Sequence, residues 1–362
     1  IPTSRAFLMN LKDRLKSTIA APQKPAISIG FTQPYVYEIK RSFKFIRKAR
    51  EVGMAALKKC FYKFLFRWVI RNKHKRKQLY ICLPKTGIAE YRRLSRLSSE
   101  ENRENRAFKY FMSIACIIKN EGPYLREWLE YHKLIGVEHF YVYDNESSDN
   151  TKEVLQPYID AGDVTYIYFP GRDRQDPAYC HATAHFGQET RWMAVVDLDE
   201  FIVLHEKDNL RDFMAEYADC SQISLHWVIY GSSGHEKRPD GLVLENFKGH
   251  SAVPDFSPKS IFNPRTVVDC GAHYMWVCGK WVNENGAEFG KDKSVPVKKA
   301  QINHYVIKSW EEFYNRKAAR GRADFKTFGE DLRQYFDQWD RNDIYDDLMQ
   351  PYVEKLKKHG VK

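Results

Sequence analysis

The feature that most constrains this chain is an alternation of strand-like and helix-like segments between residues 111 and 204. FMSIACIIK (111–119) is an apolar, β-branched run ending in polar residues, the pattern of a strand buried on both faces. In GPYLREWLEYHKLIG (122–136), Leu125, Trp128, Leu129 and Leu134 recur near helical spacing, and Gly136 supplies a stop. HFYVYDN (139–145) repeats the strand pattern. SSDNTKEVLQPYIDAG (147–162) reads as a helix capped by Ser147, Ser148 or Asp149 and closed at Gly162. VTYIYFP is a third strand, QDPAYCHATAHFG a further helix, and WMAVVDLDEFIVL (192–204) the fourth strand. Strands joined by helices at this rhythm predict an α/β fold with a mostly parallel sheet. Beyond Leu204 the pattern is less regular. ISLHWVIYG (223–231) is the clearest strand there, and residues 332–358 form a closing helical region.

In such a sheet, ligands bind at the carboxyl ends of the strands. Three strand ends here carry polar groups: Lys119, Asn120 and Glu121 after the first, Asp144 and Asn145 after the second, and Asp197, Asp199 and Glu200 in the fourth. If the topology holds, they converge on one acidic crevice, where carboxylates raise one another's pKa or bind a cation. Alternate residues of an extended segment share a face, which pairs Asp197 with Asp199 and turns Glu200 the other way, as ready to cap or salt-bridge as to touch ligand. Two carboxylates with oxygen-only chemistry suit Mg²⁺ or Mn²⁺, which keep room for phosphate oxygens. The plainer alternative is that these acids cap a helix or pair with Lys or Arg.

CIIKNEGPYLREWLEYHKLIGVEHFYVYDNESSDNT, WMAVVDLDEFIVL, KSIFNP and INHYVIKSWEEF, in that order over residues 112–325, resemble the family-92 glycosyltransferases. The resemblance implies a GT-A (Rossmann-like) fold, a UDP-sugar donor, galactose favoured, and a divalent ion, Mn²⁺ or Mg²⁺. It places Asn120, Glu121 and Asp144 on the nucleoside, Asp197 toward the ribose and the ion, and Asp199 and His304 on the ion. Lys308 falls to the diphosphate, and Lys259, with Arg265, to donor or acceptor contacts. The family is described as inverting, which requires a base for the acceptor hydroxyl; Glu245 and His273 fall on positions that suit it. The acceptor implied is a glycan or lipid-linked saccharide. The glycine–serine element Gly231–Gly234 is expected to be a mobile loop closing over the donor. A sugar nucleotidyltransferase is an alternative, although KNEGPY is a poor glycine-rich phosphate loop; a non-catalytic nucleotide- or glycan-binding protein is another.

Charge divides the chain. The net charge is +11, but residues 40–80 hold fifteen Lys or Arg against one acid, leaving the remainder at −3. The expected organisation is a basic, partly helical extension over 1–100, a GT-A domain over 107–325 and a helical region over 326–362, with the polar run Ser98–Arg106 as the boundary. The aromatic-rich basic helix expected from Lys40 to Lys77 suits either a membrane surface or docking on the domain; nothing beyond its charge points to nucleic acid. No run has the ~18 apolar residues of a spanning helix, and no signal-peptide pattern opens the chain, which begins with Ile1 and leaves room for an upstream piece. Seven cysteines without paired spacing favour a reducing compartment over a disulfide framework, with Cys116 an ordinary buried thiol. The sequon Asn145-Glu146-Ser147 lies in the expected nucleotide site, which also favours a cytoplasmic, peripherally attached protein over a Golgi or secretory lumen.

Overall fold

The structure, a computed structural model, describes residues 70–291, 294–318 and 332–362, all within one compact unit. Residues 1–69, with most of the basic run and the proposed membrane segment, lie outside the described residues.

Helix α1 (Lys73–Arg103) opens the described chain, capped by the Asn72 side chain and kinked at Gly87, whose φ is 76°. Its last turn occupies the run expected to be a boundary. Glu101 there is 3% exposed and bonded to Arg191, Arg265 and Asn263, so residues 73–103 belong with the α/β body. The polar composition of that run conceals a buried ionic anchor.

Strands β1 (Tyr110–Ile118), β2 (His139–Asp144), β3 (Val164–Tyr168) and β4 (Thr190–Val195) are parallel neighbours in the order β3-β2-β1-β4. Their crossovers are α2 (Gly122–Leu134), α3 (Thr151–Asp160) and α4 (Gln175–Phe186). Alternate residues face two apolar layers, Ile114, Cys116, Phe140 and Val142 on one side and Ala115, Tyr141, Tyr143 and Met193 on the other. Burial on both faces is why β1, β2 and β4 read as near-continuous apolar runs, while edge strand β3 is part-exposed.

The expected fourth strand is two. A turn at Asp197–Glu200, closed by the Glu200 N–H donating to the Asp197 carbonyl at 3.0 Å, separates β4 from β5 (Glu200–Leu204). After α5 (Leu210–Ala215), β6 (Gln222–Ile229), α6 (Val243–Asn246) and β7 (Gly249–His250), β8 (Asp255–Phe262) runs antiparallel between β4 and β6. β9 (Val267–Asp269) and β10 (Trp276–Val277) pair apart from the sheet. β11 (Trp281–Asn283) and β12 (Ala300–His304) run parallel to β6, and β5 closes the far edge antiparallel to β12. The chain ends with α7 (Trp310–Glu312), a π-helical turn over Phe313–Ala318, α8 (Leu332–Trp339), β13 (Ile344–Tyr345) and α9 (Gln350–Lys358). The mostly parallel sheet with flanking helices is the architecture expected of GT-A. Among the described residues, no helix is long and apolar enough to cross a membrane.

Two expectations are corrected. Cys180 of α4 and Cys270, just past β9, form a disulfide, their Cα atoms 5.6 Å apart. Ninety residues separate them, so spacing could not reveal the pair. Tyr179 and Ala182 pack in one apolar layer with Val267 and Val268, which brings the two cysteines together. Cys82, Cys116, Cys220 and Cys278 are free and buried. The Gly231–Gly234 loop is pinned rather than free: the N–H groups of Ser232 and Ser233 donate to Asp340 Oδ1 and Asn342 Oδ1, and Ser232 is 3% exposed.

Candidate active site

The carboxyl ends of β1, β2, β4 and β12 lie along one edge of the sheet, as their parallel pairings require. The turn Asp197–Glu200 stands there. Because it is a turn, alternation along a strand does not set its side chains; their partners do. Asp197 Oδ1 accepts from the Tyr179 hydroxyl and the Gln175 amide, both at 3.1 Å, and its Oδ2 from the Lys259 ammonium at 2.8 Å. Lys259, 1% exposed, also lies 3.3 Å from Glu200 Oε2 and donates to the Ala272 carbonyl at 3.0 Å. Burial alone would lower the Lys259 pKa, but the Asp197 and Glu200 carboxylates outweigh it and keep the ammonium charged. Two of the ammonium protons go to Asp197 and Ala272, and Glu200 completes the charge pairing. Lys259, expected at the nucleotide sugar, stands in this structure as the ion-pair partner that seats Asp197. Glu200, fully buried and pushed up by burial against the pull of Lys259, accepts the Asp197 N–H at 2.9 Å and is a support for the turn.

Asp199 has a different environment. Its Oδ1 lies 3.7 Å from His304 Nε2 and its Oδ2 2.7 Å from Lys317 Nζ, while the Tyr305 N–H donating to the Asp199 carbonyl at 2.8 Å ties the turn to the end of β12. Burial would raise the Asp199 pKa, but Lys317 and His304 outweigh it and hold the carboxyl well below its usual range. Burial lowers the His304 pKa against the pull of Asp199, favouring the neutral imidazole that metals bind. Its Nδ1 is buried without a hydrogen-bond partner among the described residues. No three His, Cys, Asp or Glu side chains there are grouped as metal ligands. Asp199 and His304 nonetheless fit a Mg²⁺- or Mn²⁺-type ion, which takes one or two protein donors and completes its shell with water and phosphate oxygens. Asp197, with partners on both oxygens, is the poorer ligand.

The other end of the crevice is held by dipoles. Asp144 is 3% exposed; its Oδ1 accepts the Ser147 N–H at 2.8 Å and its Oδ2 the Tyr166 hydroxyl at 2.7 Å. Asn120, left-handed at φ 56°, accepts the Ser148 N–H at 2.7 Å and donates its own N–H to Ser147 Oγ at 2.9 Å. Both side chains thus brace the loop after β2. Asp149 joins the starts of α2 and α3, accepting the N–H groups of Gly122 and Thr151. Glu121 is 4.0 Å from Arg316, whose guanidinium donates to the Asn120 carbonyl. A cavity of about 460 Å³ opens here, lined by Asn120, Asp149, Asn150 and Arg316. The sequon asparagine, Asn145, spends its amide on the carbonyls of Phe169 and Gly171.

Lys308 is buried and left-handed at φ 57°, its ammonium 4.3 Å over the Tyr124 ring. Burial lowers its pKa, opposed by Glu121, Asp199 and Glu312. His273 lies against Trp227, which also packs on His304, so it belongs to this cluster. Glu245 instead pairs with Lys357 of α9 at 2.5 Å and, among the described residues, shares no partner with the Asp197–Asp199 turn. Arg265, considered beside Lys259, is a buried clamp on Glu101 and on the carbonyls of Gly187, Thr190 and Arg191.

Four residues escaped the sequence reading. Gln175 and Tyr179 stand one helical turn apart on α4, but nothing in the sequence aims that face at Asp197. Arg316 and Lys317 stand three and four residues past the INHYVIKSWEEF block, where two adjacent bases look like solvated charge.

The family model for glycosyltransferase family 92 matches residues 110–351, two thirds of the chain. The chain belongs to that family. A family-92 protein of Oryza sativa subsp. japonica is 26% identical over 228 residues, covering 60% of this chain and 37% of the relative. The galactan beta-1,4-galactosyltransferase GALS2 of Arabidopsis thaliana is 25% identical over 190 residues, covering 47% and 37%. The chain thus spans little more than a third of these relatives. Among solved structures, S. aureus TarS 1-349 in complex with UDP is similar at 16% identity and a TM-score of 0.30, covering 42% of this chain and 47% of that one.

Proposed function

We propose that this chain is a glycosyltransferase that moves a sugar, galactose favoured, from a UDP-sugar to a glycan or lipid-linked saccharide. The observation that carries the proposal is the pairing of Asp199 with His304 beside Lys308, at the carboxyl edge of the sheet and inside the segment that matches the family. The galactan galactosyltransferases among the relatives support galactose. Asp199 and His304 hold a divalent ion, Mn²⁺ or Mg²⁺, which when bound neutralises charge developing on the leaving diphosphate. Lys308 adds a second positive charge there. The cavity beside Asn120 and Glu121 receives the nucleoside, and Asp144 keeps its loop in shape.

The reaction is inverting in this reading, with a side chain taking the acceptor proton. His273, in the Asp197 cluster, is better situated for that than Glu245. The Cys180–Cys270 disulfide favours an oxidising compartment such as a secretory lumen over the cytoplasm. The engaged Asn145 amide removes the sequon as an argument against it.

Thermal unfolding with UDP, with and without Mn²⁺, tests the proposal. Stabilisation by UDP that needs Mn²⁺ and disappears in Asp199→Ala is the expected outcome. Retention in Asp199→Ala takes Asp199 off the metal, and no response to any nucleotide removes the donor site. A screen of UDP release across common sugar donors then identifies the sugar.

A further inference from the structure

The cation on Asp199 is supplied by the chain itself. Lys317 Nζ lies 2.7 Å from Asp199 Oδ2 and donates to the Val306 carbonyl at 2.5 Å. Its neighbour Arg316 donates to the Asn120 carbonyl, stands 4.0 Å from Glu121 and stacks 4.6 Å over the Tyr124 ring. Both extend from one π-helical turn, Phe313–Ala318, which follows a capping box between Ser309 and Glu312. Such turns are uncommon and recur at functional sites. This turn carries two positive charges into the crevice, where Lys308 is a third.

We infer that Lys317 is an internal counter-ion that the divalent metal must displace from Asp199, and that the donor's diphosphate is the partner to which it moves. This rests on the glycosyltransferase reading and adds a coupling to it. Asp199 Oδ1 faces His304 and is the oxygen a dication would take, which sets it against Lys317, 2.7 Å from Oδ2 of the same carboxylate, and like charges that close repel. Metal alone therefore weakens the Asp199–Lys317 pair and leaves the ammonium only the Val306 carbonyl as partner, beside Lys308 and Arg316. A nucleoside diphosphate brings the missing negative charge, accepts Lys317 and Arg316 on its oxygens, and frees Asp199 for the metal. Metal and diphosphate then bind cooperatively, each raising the other's affinity by the same factor. A free nucleoside, with no diphosphate, gains nothing from the exchange.

The test is Mn²⁺ binding followed by electron paramagnetic resonance of the free ion, with no addition, with UDP and with uridine. In the wild-type protein, UDP is expected to tighten Mn²⁺ by about tenfold or more, within the usual range of such couplings, and uridine to leave it unchanged. In Lys317→Met, which keeps the apolar stem without the charge, Mn²⁺ alone binds tighter than in wild type, UDP with Mn²⁺ binds weaker, and the coupling falls to about threefold or less. Lys317→Arg retains most of the coupling, which separates loss of charge from loss of fold. Lys317→Met with wild-type Mn²⁺ affinity and wild-type coupling overturns the counter-ion while leaving the glycosyltransferase reading intact. A wild-type protein that takes up neither Mn²⁺ nor UDP overturns both.

Discussion

Two buried carboxylates at opposite edges of the sheet have similar surroundings and opposite uses. Glu101, at the amino edge, receives Arg106 and Arg265 on Oε1 and Arg191, Arg265 and Asn263 on Oε2. Arg265 also binds three carbonyls around the start of β4, so the cluster rivets α1 to the sheet. Asp199, at the carboxyl edge, has one lysine and one histidine. Guanidinium forks are permanently charged and geometrically locked to a carboxylate; an ammonium is a point charge that trades partners readily. Burial of an acid with cations therefore does not mark a site. What marks it is that the cations can leave.

The largest effect that tests this contrast is Glu101→Ala. Removing one partner from a buried ionic cluster leaves Arg265 and Arg191 uncompensated, and a loss of about 3–5 kcal/mol in denaturant unfolding is expected. Asp199→Asn should cost only about 1 kcal/mol, because Lys317, 23% exposed, can turn to water. Equal losses would break the contrast.

The disulfide sharpens it next. Asp197 is held by two walls, Oδ1 by Gln175 and Tyr179 of α4 and Oδ2 by Lys259, which also grips Ala272. Cys180 and Cys270 join those walls. Reduction, or Cys180→Ser with Cys270→Ser, is expected to cost about 2–5 kcal/mol and to reduce the metal-dependent stabilisation by UDP as well. A variant that unfolds earlier but responds to UDP as strongly as wild type would make the disulfide a staple with no bearing on the site.

The sequence yielded the alternating half of the sheet because β1, β2 and β4 are largely buried on both faces and the helices between them have their own starts and stops. It also singled out Asp199, in a polar break of an apolar run, while His304 came from the family resemblance; the fold brings the two to 3.7 Å. Three things were illegible for physical reasons. The break between β4 and β5 is made by Glu200 folding back on Asp197, and the acids there read as strand-end ligands rather than as a turn. Lys259 in KSIFNP looked like a ligand contact because its partners lie some sixty residues away. The polar stretch around Glu101 looked like a linker because nothing local reveals that Arg191, Arg265 and Asn263 converge on it.

Glu127 supplies a third kind of buried carboxylate and a prediction in pH rather than in a single loss. It lines a cavity of about 370 Å³ with Tyr124, Arg238 and Glu312, and its partners are peptide dipoles, the N–H groups of Val243 and Leu244 at 2.8 and 2.9 Å. Burial pushes its pKa from 4.5 up to about 7, against the pull of those N–H groups and Lys308. An acid whose pKa rises on folding binds more proton in the folded state between those two values. Its contribution to stability is therefore full below about pH 4.5 and is lost as the pH rises through about 7. Glu127→Gln cannot titrate, so its melting temperature is expected to fall less than that of wild type between about pH 5 and pH 8, the two proteins converging at the acid end. Parallel melting curves across that range would mean that two backbone donors hold a buried carboxylate ionised as firmly as the arginine forks hold Glu101, and the ranking of forks, ammonium and dipoles would collapse.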